Sequence, residues 1–235
     1  MRIAILETGA PPSPVRERHP GYGEMMVEML APLMPGADFA VARVFDGDET
    51  PETQNVDGYL ITGSPAGVYE DHDWIAPLFE TIRAAAATRT PQVGICFGHQ
   101  AIAAALGGRV EKSEKGWGVG VHRYRVHNES AWMDPITQEI SCAVSHQDQV
   151  VEAPAGARVL AGSEFCPNGA LAYAQGPAVS FQMHPEFEHG FASDLLAARR
   201  DRIPGDRVAD GLQSLRADSG RATLARWIAA FYQTA

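Results

Sequence analysis

The first half of the chain alternates short apolar blocks with longer stretches of helical spacing. Residues 2–6, 39–45 and 59–62 are apolar or β-branched runs of strand length, and each predicts a buried strand. Between the first two, Met25, Met26, Met29, Leu30 and Leu33 recur at helical spacing and predict a helix over 23–34, stopped by Pro35-Gly36. Residues 7–21 hold four prolines and two glycines and predict a loop. Asp73 stands at the N-cap of a helix begun at Trp74, with Ile75, Leu78, Phe79 and Ile82 on one face. Residues 91–95 predict a further strand, and Ala101–Leu106 a helix closed by Gly107-Gly108. Strand and helix in alternation imply an α/β fold, an open and mostly parallel twisted sheet with helices on both faces.

After Gly108 the pattern changes. Residues 109–110, 119–126, 142–145, 150–151, 158–161, 170–174 and 178–183 are short strand-like runs with turn residues between them. They predict an added antiparallel portion. Phe191–Arg200, Arg207–Arg216 and Ala222–Phe231 then read as three helices, broken at Pro204-Gly205 and Ser219-Gly220. The expected division is a domain over 1–187 and a helical extension over 188–235 packed on that same domain.

Composition narrows the function classes. The 235 residues are 45% hydrophobic, enough for a full core. A formal net charge of −10 argues against nucleic acid or an anionic membrane as partner. No apolar run reaches membrane-spanning length, and Met1-Arg2-Ile3-Ala4-Ile5-Leu6 does not resemble a signal peptide. Three cysteines, an odd number, argue against a disulfide framework and fit a reducing cytoplasm. Cys142 and Cys166 read as core or loop residues. The histidines show no metal-ligand spacing, and Gly63–Gly67 lacks the lysine of a phosphate-binding loop. No metal or cofactor is expected.

The chemistry centres on Gly94-Ile95-Cys96-Phe97-Gly98. A strand enters it and a helix leaves it, so it reads as a strained turn presenting a nucleophile between small flanks. The helix N-terminus favours the thiolate. Alone, Cys96 could be a buried cysteine beside helpful glycines; a second feature downstream changes that reading. His184-Pro185-Glu186 places an imidazole and a carboxylate on one side of an extended segment, stiffened by proline. Brought to Cys96, the histidine would take and return a proton while the glutamate orients it. His146 is a rival base or a substrate-loop residue. His99 is expected to pack on the helix after Cys96, and His19, His72, His122, His127 and His189 to be solvated. Gly63-Ser64-Pro65 follows a strand, where a parallel sheet places binding groups.

Gly94-Ile95-Cys96-Phe97-Gly98-His99-Gln100 with His184-Pro185-Glu186 resembles the class I glutamine amidotransferase family, in its stand-alone, GMP-synthase-like branch that includes plant γ-glutamyl peptidases. The resemblance spans about residues 2–187 and implies a flavodoxin-like architecture. By position it implies Cys96 as nucleophile, His184 as base and Glu186 as its orienting partner. The backbone amides of Ser64 and Phe97 would form an oxyanion hole, with Gly63 shaping the loop. Gln100 and the Ser145, His146, Gln147 and Asp148 loop would hold the α-amino and α-carboxyl groups of a glutamyl substrate. Ser64 and Gln147 each stand where the family usually has glycine. The implied reaction is hydrolysis of the γ-amide of glutamine through a γ-glutamyl thioester, releasing glutamate and ammonia. A γ-glutamyl peptidase or amide hydrolase is the alternative, and a non-catalytic binding partner of the same fold a second. The small-molecule substrate, a separate synthetase subunit and a homodimer are the partners this implies.

Overall fold

The computed structural model describes residues 1–235. Its elements in chain order are β1 (Arg2–Glu7), α1 (Ser13–Arg16), α2 (Tyr22–Leu30), β2 (Asp38–Arg43), β3 (Gly58–Ile61), α3 (Ile75–Thr88), β4 (Gln92–Ile95) and α4 (Phe97–Ala105). There follow β5 (Arg109–Lys112), β6 (Gly118–Val126), β7 (Glu139–His146), β8 (Asp148–Glu152), β9 (Arg158–Gly162), β10 (Ala170–Ala172) and β11 (Ala178–Phe181). The chain closes with α5 (His189–Ala198), α6 (Gly205–Ser214) and α7 (Arg221–Thr234).

Nine strands form one sheet in the order β2-β1-β3-β4-β11-β10-β9-β6-β7. The first five are parallel, and the remaining pairings are antiparallel. β5 and β8 make a separate antiparallel ribbon. Strand order reverses around β1, with β2 on one side and β3 on the other, so the sheet has a switch point at its carboxyl edge. In register, Ile61 lies beside Gly94 and Ile95 beside Phe181, which brings the carboxyl ends of β3, β4 and β11 level.

Alternation along the strands divides the core between two faces. Ile3, Ile5, Leu60, Val93, Ile95 and Phe181 pack with Met26 and Leu30 of α2 and Leu224, Trp227 and Ile228 of α7. Ala4, Leu6, Tyr59 and Ile61 pack with Leu78 and Ile82 of α3 and Ala101 and Ile102 of α4. A third cluster, with Val119, Ala143, Phe187, Phe191, Leu195 and Leu215, carries α5 over the antiparallel side. α7 is tied to the middle of the sheet, where the Tyr232 hydroxyl donates to the Tyr59 carbonyl at 2.6 Å.

Three local expectations are corrected. Residues 7–21 are not all loop: β1 runs to Glu7, and α1 forms because Pro14 sits in its first turn and Val15 is fully buried. Asp73 does not cap α3; the helix starts at Ile75, and Trp74 at its N-cap makes no side-chain cap bond. The block 39–45 ends as a strand at Arg43, and Val44–Asp46 turns into a single 3-10 turn.

Candidate active site

Cys96 lies between β4 and α4 with φ 51° and ψ −99°, a left-hand-side conformation costly for a residue with a Cβ. Its neighbours show why the turn holds. A Cβ on Gly94 would stand 2.4 Å from the Gly98 carbonyl oxygen, and one on Gly98 would stand 2.2 Å from that of Ile61. Both positions therefore exclude any side chain. Backbone bonds fix the rest: Cys96 N–H donates to Phe181 at 2.8 Å, Gly98 N–H to Thr62 at 3.0 Å, and Gln100 N–H to Cys96 at 3.1 Å. The Cys96 turn is thus tied to both adjacent strands.

His184 follows β11, the strand beside β4, and its N–H donates to the Ala143 carbonyl at 2.8 Å. Its Nδ1 lies 2.7 Å from Glu186 Oε1, with both side chains buried. The ring stacks on Phe187 with centroids 3.9 Å apart and planes within 8°, and Phe191 braces Phe187 in turn. Burial alone would lower the His184 pKa; the Glu186 carboxylate and the Cys96 sulfur outweigh it and raise it above the ordinary imidazole value. The neighbourhood favours the imidazolium form of His184.

Gly63 closes the third side. A Cβ there would come 2.9 Å from His184 Cε1 and 3.6 Å from Cys96 Cβ. Ser64, where glycine is usual, uses its side chain as an anchor. Its hydroxyl donates to the Thr8 carbonyl at 2.7 Å and accepts from Ala66 N–H at 3.1 Å. Thr8 in turn donates to the Gly63 carbonyl at 3.1 Å. Phe97 N–H is the first of α4 and has no acceptor within its own helix.

The cleft over Cys96 is lined by Ser64, Gln100, Ser145, His146, Gln147 and Asp148, so the sequence candidates converge. Their parts differ in detail from the expectation. Gln100 spends both amide hydrogens inside the protein, on the Asp148 carbonyl at 2.9 Å and on Gln182 Oε1 at 3.1 Å. His146 Nδ1 also faces the Asp148 carbonyl, at 3.0 Å, and burial pushes its pKa down to about 3. The ring thus braces the loop through Nδ1, while its buried Nε2 has no partner. Asp148 Oδ2 accepts from the Tyr69 hydroxyl at 3.0 Å, and its buried Oδ1 has no partner. Burial raises the Asp148 pKa.

Six cleft residues beyond the Gly63–Gly67 loop carried no sequence signal: Tyr69, Glu70, Lys112, Trp117, Arg199 and Arg202. Arg199 donates to Ser145 Oγ at 2.7 Å, and Arg202 lies 5.8 Å from the Trp117 ring centre. Both arginines come from the segment after α5 begins, within residues expected to be an extension. Gln182 was also missed; its Nε2 lies 3.5 Å from Cys96 Sγ. Cys142 and Cys166 are buried as expected, and burial raises both thiols. His99 is buried against Ser180 Oγ at 2.7 Å. His19 and His122 are not freely solvated: His19 Nε2 is 2.7 Å from Asp194 Oδ2, and His122 packs edge-on against Phe165. A larger cavity of about 430 Å³ lies behind Glu186 among α2, α5 and α7, but Cys96 is not on its wall.

The family model "Glutamine amidotransferase class-I" matches residues 22–199. A GMP synthase (glutamine-hydrolysing) from Azoarcus sp. (strain BH72) is 30% identical over 93% of this chain and 42% of its own length. Gamma-glutamyl peptidase 4 from Arabidopsis thaliana is 28% identical over 77% of this chain and 74% of its own. This chain therefore spans less than half of that GMP synthase. Among solved structures, a glutamine amidotransferase from Thermotoga maritima superposes with a TM-score of 0.82 at 17% identity, covering 100% of this chain and 99% of that one. That likeness speaks to the fold, a mostly parallel sheet of flavodoxin-like class. No helix is long and apolar enough to cross a membrane. The family match extends over most of the sequence, from α2 to Arg199 at the cleft wall, and the chain belongs to the class I glutamine amidotransferases.

Proposed function

We propose that this protein hydrolyses the γ-amide of glutamine through a covalent intermediate on Cys96. One observation carries the reading: Cys96, in its strained turn, sits one parallel strand from a buried His184 paired to Glu186 at 2.7 Å. The Cys96 thiolate attacks the γ-carbonyl carbon, and the carbonyl electron pair moves to oxygen. The Ser64 and Phe97 amides are offered as donors to that oxyanion. The imidazolium of His184 gives its proton to the departing nitrogen, the C–N bond breaks, and a γ-glutamyl thioester remains. Water then adds to the thioester with its proton going to His184, and glutamate leaves as the thiolate reforms. The unpartnered Asp148 Oδ1 suits the substrate's α-ammonium. Glutamate release from glutamine, lost in Cys96→Ala, is the test; a Cys96→Ala protein with undiminished turnover would exclude the reading.

A second reading, hydrolysis of γ-glutamyl peptides, has its own support. Lys112, Arg199 and Arg202 stand in the wall of the cleft on a chain with net charge −10. A leaving amine that bears a carboxylate would meet these cations, whereas ammonia would not. Comparing kcat/KM for glutamine, a γ-glutamyl alkylamide and a γ-glutamyl dipeptide separates the readings: preference for the dipeptide over the neutral alkylamide supports the peptidase. If glutamine leads instead, the ammonia is available to a separate synthetase subunit.

A further inference from the structure

Gln182 directly follows β11, fully buried, two residues before His184. Its amide is one link of a hydrogen-bonded chain that begins at a backbone carbonyl and ends at sulfur. The Asp148 carbonyl accepts from Gln100 Nε2 at 2.9 Å, Gln182 Oε1 accepts the other Gln100 hydrogen at 3.1 Å, and Gln182 Nε2 points at Cys96 Sγ at 3.5 Å.

The polarity of that chain has only one direction. A carbonyl can accept and never donate, so Gln100 must present its NH₂ group to Asp148. The second hydrogen of that NH₂ then needs an acceptor, and Gln182 must answer with Oε1. Turning Gln182 over would set NH₂ against NH₂ in a buried place, leaving two donors without acceptors. Gln182 Nε2 is therefore left facing the sulfur. A sulfur atom that receives a donor is favoured as the anion, and its own proton is directed elsewhere, to the histidine.

We propose that Gln182 is a positioning residue that donates to the Cys96 sulfur, its amide oriented by the Asp148 carbonyl through Gln100. The loop of residues 145–148 and Cys96 are thereby linked through two side-chain amides. This rests on the reading of Cys96 as the nucleophile, and the measurement chosen reads the sulfur directly instead of turnover.

The test is the pH dependence of Cys96 alkylation by iodoacetamide in the full chain, followed by mass spectrometry of the labelled peptide. In Gln182→Met the midpoint should rise by about one pH unit, equivalent to about 1.4 kcal/mol. In Gln182→Glu, which puts a carboxylate beside the sulfur, it should rise further. Gln100→Glu is the decisive variant, because residue 100 does not bond the sulfur: a side chain without hydrogens lets the Gln182 amide turn over, and the midpoint should rise there too. Adding Gln100→Glu to Gln182→Met should change little. Far-ultraviolet circular dichroism and melting show which variants are folded, and Gln100→Glu and Gln182→Glu keep the side-chain size if Gln182→Met is not. Unshifted midpoints in folded variants of a protein whose Cys96 alkylates would overturn the relay and leave the nucleophile in place. Failure of Cys96 to alkylate in the parent protein would overturn both.

Discussion

The floor and the rim of the cleft are built by different means. The floor is backbone: Gly63, Cys96 and His184 stand just beyond the carboxyl ends of three neighbouring parallel strands, β3, β4 and β11. Its side chains are buried, and its turns leave no room for a Cβ at Gly94 or Gly98. The rim is side chain: Tyr69, Lys112 and Arg202 reach inward from exposed positions on three separate segments, and Arg199 from a half-buried one. A sheet edge fixes atoms where charge develops during reaction, whereas long side chains on loops can be exchanged without disturbing it. Changes to the floor should therefore reach kcat, and changes to the rim should reach KM.

The largest break in that contrast comes from the floor. Cys96→Ser should lower kcat/KM for glutamine by about 10³-fold or more, because a hydroxyl beside an imidazolium has no comparable anion to offer. Steady-state glutamate release measures it, and a loss under tenfold would remove Cys96 from the chemistry. Glu186→Gln comes next, with a loss of about 10²-fold, smaller than for His184→Ala. It also carries a pH signature. The carboxylate holds the His184 proton, so without it the imidazolium is lost at lower pH and the alkaline limb of kcat/KM moves down. An alkaline limb that stays in place would mean that Glu186 does not set the charge of the ring.

Rim variants sharpen the other half. Arg199→Ala removes the grip on Ser145 and a wall cation, and should raise KM about tenfold with kcat within about threefold of the parent. A kcat that collapses while KM stays would place Arg199 with the floor. The smallest effect belongs to Tyr69→Phe. It frees Asp148 Oδ2 from one hydrogen bond on an exposed ring and should raise KM about two- to threefold. An unchanged KM would show that the Tyr69 hydroxyl has no bearing on the glutamyl end.

The same contrast explains what could be read from the amino-acid order. The floor is legible because each part is local: a glycine-flanked cysteine between strand and helix, a His-Pro-Glu step, a glycine loop after a strand. Parallel order and the two-faced core follow from the apolar blocks for the same reason. The rim is not local. Arg199 reaches Ser145 from the helical extension expected over 188–235, and nothing near either residue announces the pairing. Gln182 is harder still: it sits within a strand-like run, and its role exists only once β11 lies beside β4 and α4 offers Gln100. Asp73 misled because a capping residue type is common, while the helix start was set by where Ile75 and Leu78 meet the core.

The order of the strands has a further consequence, for the time at which the molecule becomes whole. β11 is the last strand made, yet it occupies the middle of the sheet, between β4 and β10. The parallel strands β1 to β4 and the antiparallel strands β10, β9, β6 and β7 each have neighbours of their own, and within the sheet only β11 joins them. During synthesis a ribosome would release Cys96 early and His184 late, and the two would meet only as the sheet is zipped shut from the centre. Such a join closes a long loop and is entropically slow. In the half-made chain Cys96 has no His184 beside it, and the pair is assembled only when the sheet is complete.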